Sequence, residues 1–239
     1  MNGPTVRPRM PAEGGVAIPF DAGLRRHMLA VYNYMGIGLI VTGLTAVAVA
    51  STPALTQLIF GTPLKWAVML APLAFVFFMT FRVEKMSASS LRTTFFVFSA
   101  VMGLSLASIF LVFTGASIAR TFFIAASMFL TVSLWGYTTK RDLTKAGTFL
   151  MMGLVGMIIA SLVNLFLGSS VLQLVVSLVG VIVFTGLTAY DTQRAKSDYF
   201  AYAGTSHAGK VAVMSALSLY LDFVNLFQLL LSFFGQRED

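Results

Sequence analysis

The chain contains no cysteine, so it has no disulfide, no thiolate nucleophile and no Cys-type zinc site. The same absence says nothing of compartment, because there is nothing to oxidise. Charge is nearly as scarce: charged residues make up 10% of the 239 positions against 57% hydrophobic, more apolar sequence than a soluble core of this size conceals. The two histidines, His27 and His207, lie in separate polar stretches, too isolated to suggest a metal site and expected to be solvated. There is no phosphate-binding glycine loop, zinc-helix motif or strand-borne nucleophile, so an enzyme is not expected. The formal net charge of +7 resembles a nucleic-acid signal only until its residues are placed, for they cluster at the ends of apolar runs, and no nucleic-acid partner is expected.

What is present is a series of long apolar runs. Measured against the roughly 20 residues needed to cross a bilayer, they predict spans near 28–50, 64–81, 93–113, 119–138, 147–168, 171–190 and 211–234. The expected fold is therefore an all-α polytopic membrane protein of seven transmembrane helices over residues 28–239, preceded by a flexible cytosolic tail, 1–27, rich in Pro and Gly. Ala48-Val49-Ala50 resembles a signal-peptidase site, but the apolar stretch before it is longer than a usual signal core, so an uncleaved anchor is preferred. Thirteen of the sixteen basic residues fall on one side of this alternation, leaving Lys65, Arg120 and Arg237 on the other. That asymmetry predicts a cytosolic N-terminus and an external C-terminus, with the cytoplasmic membrane as location if the source is bacterial. Reporter fusions at Gly61, Thr114 and Gly168 are expected to give external signals, and a cytosolic signal at any of the three overturns the topology.

Asp222 is the one formally charged residue of the last apolar run. A carboxylate at mid-bilayer costs roughly 2.5–3.5 kcal/mol on insertion scales, and it is kept only where protein, protons, ions or water receive it. Ser215, Ser218, Asp222, Asn225, Gln228 and Ser232 recur at steps of three or four and share an arc of about 140° on a helix, a stripe that faces either water or protein. The bland alternative for Asp222 is a structural contact to a Ser or Tyr of another span. Asp191 closes the sixth run near the interface, where a carboxylate is either functional or simply hydrated or capping a turn. Glu84 stands among basic residues and reads as an exposed loop charge, while Arg82 and Arg92 read as topology determinants. Met151 and Met152 suit lipid or packing, and Gly36, Gly38, Gly43, Gly153 and Gly156 would let helices approach closely. Leu134–Arg141 and Leu187–Arg194 share four identities in eight positions, either a weak parallel repeat or two interfaces that both use Tyr and Arg.

Gly186-Leu-Thr-Ala-Tyr-Asp-Thr-Gln193 and Leu217-Ser-Leu-Tyr-Leu-Asp-Phe-Val-Asn-Leu-Phe227, preceded by Gly136-Tyr-Thr-Thr-Lys-Arg-Asp142, together resemble the Bax inhibitor (transmembrane Bax inhibitor motif) family, most closely its bacterial branch. The likeness extends from about Tyr32 to the C-terminus and includes Pro63–Trp66 and Met151–Leu154. It implies a bundle whose C-terminal helix is central, with the other six around it. It also implies that Asp191 and Asp222 form a pH-sensing carboxyl pair gating a slow calcium leak. Supporting roles fall to Tyr190, Ser218, Asn225 and Glu84, and an arginine accompanies the pair, for which Arg82 and Arg92 are the candidates. Other bacterial relatives are implied to modulate a membrane-embedded ATP-dependent protease, with a stress-protective role.

Independently of the family, two carboxylates in a partly dehydrated site share a proton and titrate as a unit. Loss of that proton creates repulsion able to separate two helices. The deprotonated pair attracts Ca²⁺, which prefers six to eight oxygens, so two aspartates with Asn225 and water make a weak transit site. Asp191 and Asp222 meet only if the seventh helix begins above the hydrocarbon or the sixth continues past Asp191. Three readings follow: a pH-gated cation leak needing no cofactor, an interaction protein of the bilayer that regulates a protease, and, least favoured, an intramembrane hydrolase for which no activated-water constellation is legible.

Overall fold

The computed structural model describes residues 22–238 and is built from helices: α1 (Ala22–Ala50), α2 (Pro53–Phe60), α3 (Leu64–Arg82), α4 (Ala88–Leu106), α5 (Gly115–Thr138), α6 (Thr144–Leu167), α7 (Ser170–Tyr202) and α8 (Ala208–Phe234). Short 3-10 turns, Val83–Lys85 and Ala107–Leu111, follow α3 and α4. All helices except α2 are long and apolar enough to cross a membrane, and the fold is all-α and polytopic as expected. Local chemistry sets several of their starts. Ser87, Thr114 and Ser169 occupy the N-cap positions of α4, α5 and α7, and each side-chain oxygen accepts the amide three residues on.

Three boundaries differ from the sequence reading. The tail 1–27 is shorter at its C-terminal end, since residues 22–27 already form the start of α1, and the remainder lies outside the described residues. The segment between the first two predicted spans carries a helix of its own, α2, opened by Pro53. The stretch 191–210, between the last two predicted spans, is mostly helix, because α7 runs on to Tyr202 and leaves only residues 203–207 as a turn. Nothing between Asp191 and Tyr202 breaks a helix, and Thr192 and Ala195 are buried against the bundle, so tertiary contact pays for the extension.

α8 occupies the centre. It packs most extensively on α7 and also touches α1, α5 and α4, while α6 packs on α7 and α3 on α4. Each side of α8 has its own partner. The Tyr220 ring meets Phe95 and Phe98 of α4 edge-on, and its hydroxyl lies 2.6 Å from Thr42 Oγ1 of α1. Phe223 stacks edge-on with Phe122 and Phe129 of α5. The outer helices turn their bulky residues to lipid, with Met151 and Met152 of α6 both exposed.

Of the five glycines read as close-approach sites, Gly38 is one: a Cβ there would lie 2.9 Å from Phe95 and Ser99. Gly153 is snug against Val183, whereas Gly36, Gly43 and Gly156 face open space and do not mediate packing. The tightest crossings lie elsewhere, at Gly136 against the Ala189 backbone and at Gly147 against the Tyr190 ring. Gly168 has a different task, ending α6 at φ 60° with its N–H on Asn164 O, so that α7 begins two residues later.

Contacts between loops define two ends. At one, His27 meets Ala195, Lys196 reaches Tyr137 O, Gln193 bridges Arg141 O and the Leu143 amide, and Lys210 donates to Glu84 O. Asp142, at the same end, accepts the Thr144 hydroxyl at 2.6 Å and amide at 2.9 Å, and these bonds hold its carboxyl below the usual carboxylate range. At the other end the chain after α8 pairs with the α4–α5 turn: Thr114 N–H donates to Gln236 O and Glu238 N–H to Val112 O. The two members of the sequence repeat lie in direct contact at the first end, joined by the Gln193 bridge.

Candidate functional site

Asp222 projects from the middle of α8 toward α7, where its carboxyl adjoins that of Asp191. A carboxylate only accepts, so two carboxyl groups this close can bond each other only with a proton held between them. Asp222 is 4% exposed, and its buried Oδ2 has no hydrogen-bond partner among the described residues. Asp191 is half-buried, one turn before Arg194, whose charge it feels. The helix lengths permit the meeting. Asp222 lies fourteen residues into α8, a rise of about 21 Å, and α7 extends eleven residues beyond Asp191, about 16 Å, before the turn that joins them.

The supporting candidates divide. Ser218 is half-buried one turn before Asp222. Asn225 turns its amide back onto Leu221 O at 2.8 Å and so is tied to its own helix. Tyr190 is half-buried and packs its ring on Gly147 rather than standing beside the carboxyls as a ligand. Glu84 is exposed, 3.4 Å from His207 and remote from the pair in its contacts. Arg82 lies over Phe78 and Arg92 is exposed in the first turn of α4; neither makes an ion pair among the described residues. The guanidinium beside the site is Arg194, which also bonds Asp198 at 3.8 Å.

His27 is corrected most. It is buried, with Nε2 3.2 Å from Ala195 O and its ring against Tyr199, because α1 starts early enough to lay it on the extension of α7. His207 is partly exposed, as expected of a turn residue.

The sequence reading also passed over a chain of hydroxyls. Tyr32 of α1 bonds Ser133 of α5 at 2.5 Å, Ser133 meets Thr192 of α7 at 2.9 Å, and Thr192 donates to Thr188 O. This chain ties three helices together at the residue after Asp191. Thr121 Oγ1, buried on α5, has no hydrogen-bond partner among the described residues. Single hydroxyl residues in apolar runs carry no periodic signal, so only the packing reveals them.

On the other side of the pair, the polar stripe of α8 continues through Gln228 to Ser232, which lies 3.3 Å from Ser177 of α7. There a cleft of about 210 Å³ opens between the two helices, lined by Ser170, Gln173, Ser177, Ser232 and Arg237.

Seven spans, six of them bundled with a buried C-terminal seventh whose carboxyl adjoins one on the helix before it, define a polytopic membrane protein with an acid pair in its interior. The chain belongs to the Bax1-I family, described as inhibitor of apoptosis-promoting Bax1, whose model matches residues 24–239. It is 49% identical over 223 residues to the uncharacterized protein RP147 of Rickettsia prowazekii, covering 92% of this chain and 93% of that one. It is 44% identical over 232 residues to inner membrane protein YbhL of Escherichia coli K12, covering 96% and 99%. An uncharacterized Caulobacter vibrioides protein is 44% identical over 229 residues, covering 92% of each.

Proposed function

We propose that this protein is a pH-sensitive calcium leak pathway of the bacterial inner membrane, closed when Asp191 and Asp222 share a proton and opened when they lose it. The observation that carries the reading is that two carboxyls adjoin across the α7–α8 seam, at a point where Asp222 has almost no access to water. Removing the proton leaves two like charges in contact, and their repulsion acts directly on the seam between the central helix and its principal neighbour. The same charges attract a divalent cation. Asn225 and Gln228, both back-bonded to their own helix, and the polar cleft beyond them supply oxygen-bearing steps along that seam once it parts. The location follows the name of the Escherichia coli relative, and the basic asymmetry orients the α1 start and the α7–α8 turn toward the cytosol.

The test is calcium entry into proteoliposomes containing the full chain, measured from pH 5 to 8. Flux is expected to rise with pH, since deprotonation is the opening event. Flux no greater than in protein-free vesicles at every pH removes the leak reading.

A second reading, modulation of an ATP-dependent membrane protease, draws on the extension of α7 beyond Asp191. It presents Phe200 at 60% exposure and Tyr202 at 43%, beside polar residues, at the basic end of the bundle. That role survives loss of the acid pair, so retention of a protease in pull-downs with Asp222→Asn separates it from the leak.

A further inference from the structure

α5 packs on α7 and α8, and its outer flank carries a shallow, open apolar groove lined by this one helix. Phe123, Ile124, Ser127, Met128, Thr131 and Val132 form this groove, a single stripe at helical spacing, with Arg120 at its upper end. The two hydroxyls add little polarity, since Ser127 donates to Phe123 O and Thr131 to Ser127 O. Arg120 is exposed near the start of α5 and makes no ion pair among the described residues. It is one of three basic residues at its end of the molecule, so topology does not require it there.

We propose that this groove seats one anionic phospholipid, with its phosphodiester on Arg120 and an acyl chain along the stripe. Depth supports the occupant. From Arg120 to Thr131 the helix rises about 16 Å, close to half of a hydrocarbon core of about 30 Å, so the groove is one leaflet long with its cation at the headgroup level. The guanidinium, on a flexible apolar stem, reaches the interface while its stem stays in the groove. The side chains argue against a second protein helix as occupant: intramembrane helix contacts favour small residues and shared hydrogen bonds, and this face offers Phe, Ile, Met and Val with its hydroxyls already engaged.

Native mass spectrometry of the full chain in detergent tests this, with dioleoyl-phosphatidylglycerol, dioleoyl-phosphatidylcholine and glycerol 3-phosphate as separate probes. Phosphatidylglycerol is expected to be retained at one per chain. Glycerol 3-phosphate, which lacks the acyl chain, and phosphatidylcholine, whose net charge is zero, are expected to be lost. Arg120→Gln is expected to weaken retention about fivefold, the effect of one basic residue at a membrane surface, while Lys65→Gln at the same end leaves it unchanged. Ser127→Trp, which keeps the cation and fills the groove, is expected to reduce it as well. Equal retention by wild type and Arg120→Gln, or by wild type and Ser127→Trp, overturns the proposal. So does a wild-type protein that binds no phosphatidylglycerol or is dimeric through this face.

Discussion

Asp222→Asn is expected to reduce calcium flux at pH 8 by on the order of tenfold, the effect of about 1.4 kcal/mol on a transit barrier, and to flatten its dependence on pH. The sign follows from the geometry. On the proposed reading the wild-type pair shares one proton across the α7–α8 seam, where the two carboxyls adjoin, and its loss at rising pH places two negative charges in contact. Asparagine cannot ionise, so the repulsion that parts the helices disappears and one cation-attracting charge goes with it. Its amide still donates to Asp191, which preserves the seam and makes misfolding a poor explanation for lost flux. Asp191→Asn is expected to act in the same direction. Because the two carboxyls act as one unit, the double variant is expected to be little worse than the more severe single one. Insertion is checked by protease protection. Unaltered pH-dependent flux in Asp222→Asn eliminates the aspartate switch and shifts the weight to the exposed basic-end surface of α7 as the functional element.

Gly136→Ala is expected to destabilise the protein far more than its single methyl group suggests. A Cβ at Gly136 runs into the backbone carbonyl of Ala189, and a backbone cannot rotate away as a side chain can. α5 and α7 must separate, two residues from Asp191 and next to the Ser133–Thr192 bond. Overpacking of this kind costs about 1–3 kcal/mol, enough to lower the melting temperature measured by thermal unfolding in detergent. Gly156→Ala is the matched control. A Cβ there meets nothing within 4 Å, so the better helix propensity of alanine is expected to leave stability unchanged or slightly raised. Equal melting temperatures for Gly136→Ala and wild type mean that the α5–α7 crossing is looser than its geometry indicates.

The seven spans, the central acid and the lipid-facing methionines were all legible because a bilayer imposes one-dimensional rules. An apolar run must be long enough to cross, a buried acid stands out against it, and basic residues gather at loop ends. The glycines show the limit of that reading. Spacing alone singled out Gly36, Gly43 and Gly156, which face open space, and passed over Gly136 and Gly147, which lie at crossings. A small residue permits close approach without requiring it, and the requirement comes from the partner helix. Arg194 escaped notice beside Arg82 and Arg92 for a similar reason, since all three lie at the ends of apolar runs and only the placement of α7 brings one of them near an aspartate.

By itself the sequence determined that this chain is an all-α membrane protein of seven spans, and that Asp222 needed a partner, because both follow from the cost of placing polar groups in hydrocarbon. The family resemblance pointed to Asp191 as that partner, and only tertiary structure brings the two carboxyls together. The distance between the two carboxyls depends on how far α7 continues past its apolar run, and the contacts that stabilise that polar extension, His27 on Ala195 and Ser133 on Thr192, join residues more than fifty positions apart. No local pattern encodes such contacts; they arise when α1 and α5 close around α7, and with them the two carboxyls are brought together.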